Sequence, residues 1–251
     1  MSYPILILGG TTEAYELADR LVAAGQLRVI SSLAGRTESP RLPAGEVRIG
    51  GFGGVEGLAE FLRIQAIRCV IDATHPFAAQ MGWHAWEACT LCDVPLLRLE
   101  RPPWTPASGD RWEEVASWSE AVERLQRLNA KRIFLAIGRQ ELQHFAGLDD
   151  RWFLIRLVSP PDPLPPFCRA EWLYARGPFD LAAERAMLDR YRIEAIVCKN
   201  SGSEATAAKL IAARERAIPV VMRKRPPRSP EVQSVATVEA VLDWLSRVSK
   251  M

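Results

Sequence analysis

The chain has 251 residues, of which 48% are hydrophobic and 25% charged, and its formal net charge is +2 at pH 7. These values are typical of a soluble globular protein with one large domain or two ordinary domains. They indicate neither a nucleic-acid-binding protein nor a membrane-surface protein.

Targeting and cysteine patterns favour a cytoplasmic protein. No apolar run reaches the roughly 18 residues that a membrane span requires, and no signal peptide is recognisable at the N-terminus. The five cysteines are scattered and odd in number, as expected in a reducing compartment. Cys89 and Cys92 form a C-x-x-C inside a predicted helix without a second pair of ligands, so we predict neither a metal site nor a redox role.

Strand-like and helix-like segments alternate through the first half of the chain. Residues 5–8 form a continuous apolar run, and the helix predicted after it has an apolar face from Ala14 to Val22 and ends at Gly25. The later segments of this half are helices near 55–66 and 78–91 and strands at 27–32, 46–49, 69–72 and 95–99.

The second half repeats this alternation. Its predicted helices lie near residues 180–190 and 203–216. Its predicted strands lie near residues 132–137, 152–158, 171–175, 194–198 and 219–222. Because continuous apolar strands that alternate with helices are buried on both faces, the pattern predicts a mainly parallel, doubly wound α/β sheet in each half.

The two halves also resemble each other in sequence. The segment PLLRLERPP at 95–103 matches PVVMRKRPP at 219–227, and VASWSEAV at 115–122 matches VATVEAV at 235–241. An ordered series of matches at similar offsets indicates an internal duplication.

We therefore predict two similar Rossmann-like domains, residues 1–129 and 130–251, that face an interdomain cleft. The proline-rich segments 101–107 and 225–230 are then equivalent connections before the last strand of each domain. The sequence leaves open whether that strand pairs with its own sheet or reaches into the other one. The oligomeric state is open as well.

Two loops of the first domain carry signals for a nucleotide. In GGTTEA, at 9–14, glycines permit a tight turn and threonine hydroxyls lie at a helix N-terminus that favours an anion. A plain strand-to-helix turn is the alternative. In SSLAGRT, at 31–37, no acidic residue is present to bind ribose hydroxyls, and Arg36 favours a 2′-phosphate, hence NADPH over NADH. A solvated surface arginine is the alternative for Arg36.

Two further loops follow in the same domain. The segment GGFGG, at 50–54, places four glycines around Phe52, which suits either backbone packed against a flat ligand or a tight turn. The segment DATHPFA, at 72–78, places His75 at a strand end. We interpret His75 as a proton donor, a nicotinamide neighbour or a structural histidine.

Cations follow three different strands of the second domain, at Arg139, Arg176 and Lys199. Such a set suits a ligand with several carboxylates or phosphates, and ordinary solvated charge is the alternative. Ser201 and Glu204 fit a capping box at a helix start. No metal-ligand cluster, nucleophile elbow or complete P-loop is recognisable, which leaves cofactor chemistry.

The chain resembles the precorrin-6A reductase family of cobalamin biosynthesis over about residues 5–230. The resemblance is carried by eight motifs in order, namely LILGGTTEA, SLAGRT, GGFGG-x-EGL, VIDATHPFA, LRLERPPW, LAIGRQEL, ARGPF and KNSG…T-x-AKL-x-AAR. One small departure is Ser203, where another glycine is expected. The resemblance implies that NADPH reduces one double bond of the precorrin-6A macrocycle to give precorrin-6B.

The resemblance also implies a cofactor site in the first domain and a substrate site in the second. The residues expected to bind NADPH are Gly9, Gly10, Thr11, Thr12, Glu13, Ser32, Ala34, Gly35, Arg36, Thr37, Gly51, Phe52, Gly53 and Thr74. The residues expected to bind the substrate, a polycarboxylate tetrapyrrole, are His75, Arg139, Arg176, Lys199, Asn200, Ser201 and Gly202. His75 and Lys199 are also the candidate catalytic residues. We expect neither to be an essential acid, because the conjugated macrocycle spreads positive charge.

Other interpretations stay open. One is an NADPH-dependent reductase of another polycarboxylate, including the cobalt-containing equivalent of precorrin-6A, and another is a nucleotide-sensing module without turnover. A methyltransferase of the same pathway that binds S-adenosylmethionine is disfavoured by Arg36, since that cofactor has no phosphate. Transient contact with neighbouring pathway enzymes is compatible with the sequence. The hydride face and the proton donor are left open.

Overall fold

The computed structural model describes residues 3–25, 27–35 and 42–248. The chain forms two compact units: unit 1 comprises Met1–Pro102 and Pro226–Met251, and unit 2 comprises Pro103–Arg225. The strands and helices are, in chain order, β1 (Pro4–Leu8), α1 (Thr12–Ala24), β2 (Arg28–Leu33), β3 (Glu46–Ile49), α2 (Val55–Ile64), β4 (Cys69–Asp72), α3 (Ala79–Cys92), β5 (Leu96–Leu99), β6 (Trp112–Val115), α4 (Trp118–Leu128), β7 (Arg132–Ala136), β8 (Trp152–Leu157), β9 (Ala170–Tyr174), α5 (Leu181–Arg190), β10 (Ala195–Lys199), α6 (Ala208–Glu215), β11 (Val220–Arg223), β12 (Ser234–Val235) and α7 (Val238–Val248). Short 3₁₀ helices lie at Arg139–His144 and Glu204–Thr206.

Unit 1 is built on a six-stranded sheet in the order β12-β5-β4-β1-β2-β3, with parallel pairing between neighbours. Ile5 and Ile7 of β1 face a core that includes α1 and α7. Leu6 and Leu8 face the opposite core, which includes α2 and α3. The continuous apolar run in β1 therefore reflects a strand that is covered on both faces, as predicted.

Unit 2 has a second six-stranded parallel sheet, in the order β6-β11-β10-β7-β8-β9. Helix α4 and the 3₁₀ helix Arg139–His144 cover one face, and α5 and α6 cover the other. The order matches that of unit 1 when β7 takes the place of β1. One element differs, because the 13-residue helix α1 corresponds to a 3₁₀ helix of six residues.

Each sheet takes its sixth strand from the far side of the predicted boundary. Strands β6 and β12 are additional to the five predicted in each half. The pair β6 and α4 precedes residue 130 but belongs to unit 2, whereas β12 and α7 lie at the C-terminal end and belong to unit 1. The units therefore differ from the predicted division into 1–129 and 130–251. The physical reason is that strand pairing, not nearness in the chain, decides which sheet buries a strand.

The register of the two sheets supports the interpretation of a duplication. At the end of β5, Leu99 pairs with Val235, and at the end of β11, Arg223 pairs with Val115. These pairs place VATVEAV and VASWSEAV at the same position in the two sheets.

Within 3–25, 27–35 and 42–248, no helix has the length and apolarity to cross a bilayer.

Candidate functional site

Hydrogen bonds join the loops at the carboxyl edge of the unit 1 sheet. The Gly9 amide donates to the Ser32 carbonyl at 2.9 Å, and the Thr11 hydroxyl donates to the Ala73 carbonyl at 2.8 Å. The Gly50 amide donates to the Leu33 carbonyl at 2.9 Å. The loops after β1, β2, β3 and β4 are thus brought together, as expected for parallel strands.

The GGTTEA loop passes directly into α1. Gly10 has φ +109°, a conformation that favours glycine, and the Thr11 side chain caps the helix by accepting from the Ala14 amide at 3.3 Å. Because the Thr11 hydroxyl also donates to the Ala73 carbonyl, its hydrogen-bond donor is already engaged within the protein. Thr12 is exposed in the first turn, where helix amides lack intrahelical partners. Glu13, also in the first turn, forms an ion pair with Arg101 at 2.7 Å. The arginine therefore neutralises the carboxylate that lies beside this helix N-terminus.

A shallow hollow without room for a water molecule lies beside this loop; we call it the β1–β2 hollow. Its lining consists of Gly9, Gly10, Ala14, Tyr15, Ser31, Leu33 and Pro43. The Ser31 hydroxyl is buried and has no hydrogen-bond partner among the described residues. Ser32 is buried at the end of β2, and Ala34 and Gly35 are exposed after it. The predicted phosphate ligands Arg36 and Thr37 lie outside the described residues.

The GGFGG loop is shaped by backbone requirements. Gly50, Gly53 and Gly54 all have φ between +83° and +115°, so a turn accounts for three of its glycines. The Arg48 guanidinium donates to the carbonyls of Gly50 and Gly51, each at 2.6 Å, and lies 3.9 Å from the Phe52 ring centroid. Arg48 was not predicted as a site residue, although it stands on the strand that leads into the loop.

A buried polar network fixes the loop after β4. Arg98 pairs with Asp72 at 2.7 Å and with Glu100 at 2.7 Å, and it donates to the hydroxyl and the carbonyl of Thr74, each at 3.0 Å. The Thr74 hydroxyl in turn donates to Asp72 at 2.7 Å. Thr74, a predicted cofactor ligand, is therefore engaged inside the loop. Asp72 and Arg98 are register partners in β4 and β5, and the equivalent register partners in unit 2 are Cys198 and Met222.

Arg228, from the segment before β12, holds the rest of this loop. Its guanidinium donates to the carbonyl oxygens of His75, Pro76, Ala78 and Ala79 at 3.0–3.4 Å. Gly82 makes room for it, since a Cβ at residue 82 would lie 1.8 Å from Arg228 Nη1. The Nδ1 atom of His75, half-buried at the same edge, accepts from the Phe77 amide at 3.2 Å.

The carboxyl edge of unit 2 brings charged groups together around one tryptophan. Lys199, the last residue of β10, is hydrogen-bonded to Glu141 and lies 5.9 Å from the Trp118 ring centroid. The guanidinium carbon of Arg223, the last residue of β11, lies 5.8 Å from the same centroid. Burial lowers the pKa of Arg223. Lys199 was predicted as a site residue, whereas Glu141, Trp118 and Arg223 were not.

The other predicted substrate residues have distinct positions. The Asn200 side chain forms two hydrogen bonds with the backbone of Trp104. It accepts from the Trp104 amide at 2.8 Å and donates to the Trp104 carbonyl at 2.9 Å. The Asn200 side chain thereby fixes the position of the segment with which unit 2 begins. The Arg225 guanidinium donates to the carbonyls of Asn200 and Ser201 at 3.0 and 3.2 Å, and Gly202 has φ +69°.

Arg139 and Arg176 lie in two separate loops of the same edge. Arg139 is the half-buried first residue of the 3₁₀ helix, and Arg176 is exposed after β9. The Phe179 amide donates to the Ala205 carbonyl at 2.9 Å, which ties the Arg176 loop to the segment after β10.

The predicted capping box at Ser201 and Glu204 is wrong. The N-cap residue of the 3₁₀ helix that starts at Glu204 is Ser203, whose side chain makes no capping bond. Instead, the Ser201 hydroxyl accepts from the Ser203 amide at 3.4 Å. In the part of the chain that the structure describes, no group of His, Cys, Asp and Glu side chains has the geometry of a metal site.

A family model described as precorrin-6x reductase CbiJ/CobK matches residues 4–246. The chain belongs to this family. A precorrin-6A reductase from Rhodococcus erythropolis is 47% identical over 247 residues, which are 98% of each chain. A solved structure named CobK precorrin-6A reductase aligns with TM-score 0.91 and 42% identity, covering 98% of this chain and 97% of that one. A cobalt-precorrin-6A reductase from Synechocystis is 28% identical over 80% of this chain and 79% of its own. The predicted family and the predicted α/β fold are both confirmed.

Proposed function

We propose that the protein reduces one double bond of precorrin-6A with NADPH and so forms precorrin-6B. The observation that carries this proposal is membership of the reductase family along nearly the whole chain, which includes the loops of both units. A reductase requires a redox cofactor, and the acid-free SSLAGRT segment with Arg36 favours NADPH.

Unit 1 suits the cofactor better than unit 2. Helix α1 starts directly after the GGTTEA loop and runs for 13 residues, so its first-turn amides and its dipole favour a pyrophosphate. The equivalent 3₁₀ helix of unit 2 has six residues and a weaker dipole.

Unit 2 suits an acidic substrate. Arg139, Arg176 and Lys199 lie at the carboxyl edge of its sheet, where cations attract the acetate and propionate arms of a tetrapyrrole. Asn200 and Ser201 keep the loop that carries Lys199 in place through their contacts with Trp104 and Arg225.

The residues of the chain bind and orient the reactants. When bound, NADPH supplies a hydride. His75 Nδ1 accepts the Phe77 amide N–H, which leaves Nε2 as the ring nitrogen that can donate a hydrogen bond. Lys199 is paired with Glu141. We infer that neither residue is an essential general acid.

The first test measures NADPH oxidation by the purified protein with precorrin-6A and with cobalt-precorrin-6A. We expect faster turnover of precorrin-6A, since the chain is more similar to a relative named for that substrate. Binding of NADPH without turnover of either compound would contradict the proposal and favour a nucleotide sensor. His75→Ala and Lys199→Ala should retain turnover; abolished turnover with both ligands still bound would identify an essential acid.

The second test concerns cofactor choice. Calorimetry with NADPH and NADH should give tighter binding of NADPH, and Arg36→Ala should remove that preference while leaving NADH binding intact. Equal affinity of the native protein for the two nucleotides would contradict the role of Arg36.

A further inference from the structure

Trp118, Lys199 and Arg223 form one cluster at the carboxyl edge of the unit 2 sheet; we call it the Trp118 cluster. Lys199 and Arg223 are register partners at the ends of β10 and β11, and Trp118 is the first residue of α4. The two cationic groups lie 5.9 and 5.8 Å from the indole ring centroid. Lys199 belongs to the KNSG motif, whereas Trp118 and Arg223 are not among the predicted site residues.

The duplicated unit shows what the fold itself requires at these positions. The register equates Arg223 with Leu99, because their partners Val115 and Val235 occupy matching sites. Trp118 then corresponds to Val238, and Lys199 corresponds to Ala73. The residues of unit 1 that occupy these positions are all buried members of one apolar core, namely Ala73, Leu99 and Val238.

The two cations of unit 2 are therefore not needed to form this sheet and its covering helix, whereas the indole of Trp118 also packs on the unit 2 core, 5.9 Å from the Phe145 ring centroid. In unit 1, α1 contributes Ala14, Leu17, Ala18 and Leu21 to the core that buries these positions. In unit 2 the shorter 3₁₀ helix replaces α1, and the equivalent side chains stay partly accessible.

The two cations of the Trp118 cluster differ in their direct ion pairs. Glu141 neutralises Lys199. The carboxylates of Glu120 and Glu141 act on Arg223 electrostatically, but across the described ranges neither lies within ion-pair distance of it. Its guanidinium makes one long hydrogen bond there, 3.3 Å to the Lys224 carbonyl. Burial lowers the pKa of Arg223, because a partly desolvated guanidinium is less stable in its charged form. A half-buried guanidinium without a carboxylate partner favours an anionic ligand.

We infer that Arg223 is a substrate-binding residue that receives a carboxylate arm of the precorrin, with Trp118 and the Lys199–Glu141 pair orienting it. The inference rests on the proposed function, since it names a further contact of the same substrate. A guanidinium offers two parallel N–H groups to a carboxylate, which a lysine ammonium cannot match.

The test compares Arg223→Leu, which installs the residue found in unit 1, with Arg223→Lys and with the control Lys224→Met. Lys224 is adjacent in sequence, exposed and paired with Glu114, so its loss leaves the cluster intact. Loss of a charge-assisted contact should raise the KM for precorrin-6A about ten- to hundredfold in Arg223→Leu. The KM for NADPH should stay at the native value, Arg223→Lys should recover part of the loss, and Lys224→Met should behave like the native protein.

A direct binding measurement keeps the test independent of turnover. Uroporphyrin, a stable tetrapyrrole with acetate and propionate arms, should quench tryptophan fluorescence, and its affinity should fall at least about tenfold in Arg223→Leu. A native KM and native uroporphyrin affinity in Arg223→Leu would overturn the inference. So would a loss of thermal stability in Arg223→Leu with unchanged KM, because it would make the cluster structural. Failure of the native protein to oxidise NADPH with precorrin-6A would instead reject the proposed function.

Discussion

Replacing Arg98 by methionine tests the buried ion pair that fixes the loop after β4. The side chains of Arg98 and Asp72 are 5% and 3% exposed, and their charged atoms are 2.7 Å apart. Burial acts to lower the pKa of Arg98, but the carboxylates of Asp72 and Glu100 outweigh it and raise that pKa. Removing the guanidinium leaves the Asp72 carboxylate buried without this cation. We expect Arg98→Met to lower the free energy of unfolding by about 3–5 kcal/mol.

The duplicated unit supplies the matched double variant. Cys198 and Met222 occupy the positions of Asp72 and Arg98 in the other sheet, so Asp72→Cys combined with Arg98→Met replaces the ion pair by the pair that unit 2 uses. Because the double variant also removes the buried Asp72 carboxylate, it should be more stable than Arg98→Met alone by at least about 1 kcal/mol. Recovery stays partial, since Thr74 and Glu100 lose hydrogen bonds from Arg98.

Urea unfolding followed by tryptophan fluorescence measures these differences. Arg185→Met is the control for the substitution itself, because Arg185 and Glu215 form an exposed pair whose loss should leave the unfolding midpoint unchanged. If the double variant is no more stable than Arg98→Met, the cost does not come from the stranded carboxylate and the reasoning is refuted.

Three further predictions follow from buried groups. Gly82→Ala should displace the Arg228 guanidinium, lower the free energy of unfolding by about 1.5–3 kcal/mol in urea and reduce turnover; a native urea midpoint would contradict this. Burial lowers the pKa of Lys209, so between that lowered pKa and the ordinary 10.5 the unfolded chain binds more protons and the free energy of unfolding rises with pH. Lys209→Met should flatten that slope, and an unchanged slope would count against it. Burial raises the pKa of the Cys69 thiol to about 12, whereas Cys168 is exposed. When the folded protein is treated with iodoacetamide, mass spectrometry should therefore find Cys168 alkylated and Cys69 unmodified. Alkylation of Cys69 before Cys168 would contradict the structure.

Local signals in the sequence were sufficient for most of the elements. Apolar runs such as residues 5–8 identify strands covered on both faces, because such a strand needs no polar side. Thr11 and Gly25 bound α1 through a side-chain cap and a left-handed C-cap, which are contacts of near neighbours. The strand-end loops that hold the candidate site could be located for the same reason.

The roles of individual site residues were less accessible from sequence. Thr74 and Asn200 look like ligands in their motifs, yet their side chains bond to Arg98 and to the Trp104 backbone. The partners lie 24 and 96 residues away in the chain. A motif reports the chemical type of a side chain, whereas only the folded chain decides which group satisfies it.

The family could be recognised from its motifs in the sequence. The parallel α/β class and the repeated order of strands and helices could be predicted as well, because they depend on residue type and on local periodicity. The folded chain was needed to show that β6 and β12 join the sheets beyond the predicted boundary, and that Leu99 is buried in unit 1 while its sequence equivalent Arg223 is only partly buried in unit 2. The first outcome depends on which strand edges pair, and the second on which elements cover the end of the sheet. That choice is made by burial and hydrogen bonding across the whole unit, and no short stretch of sequence contains it.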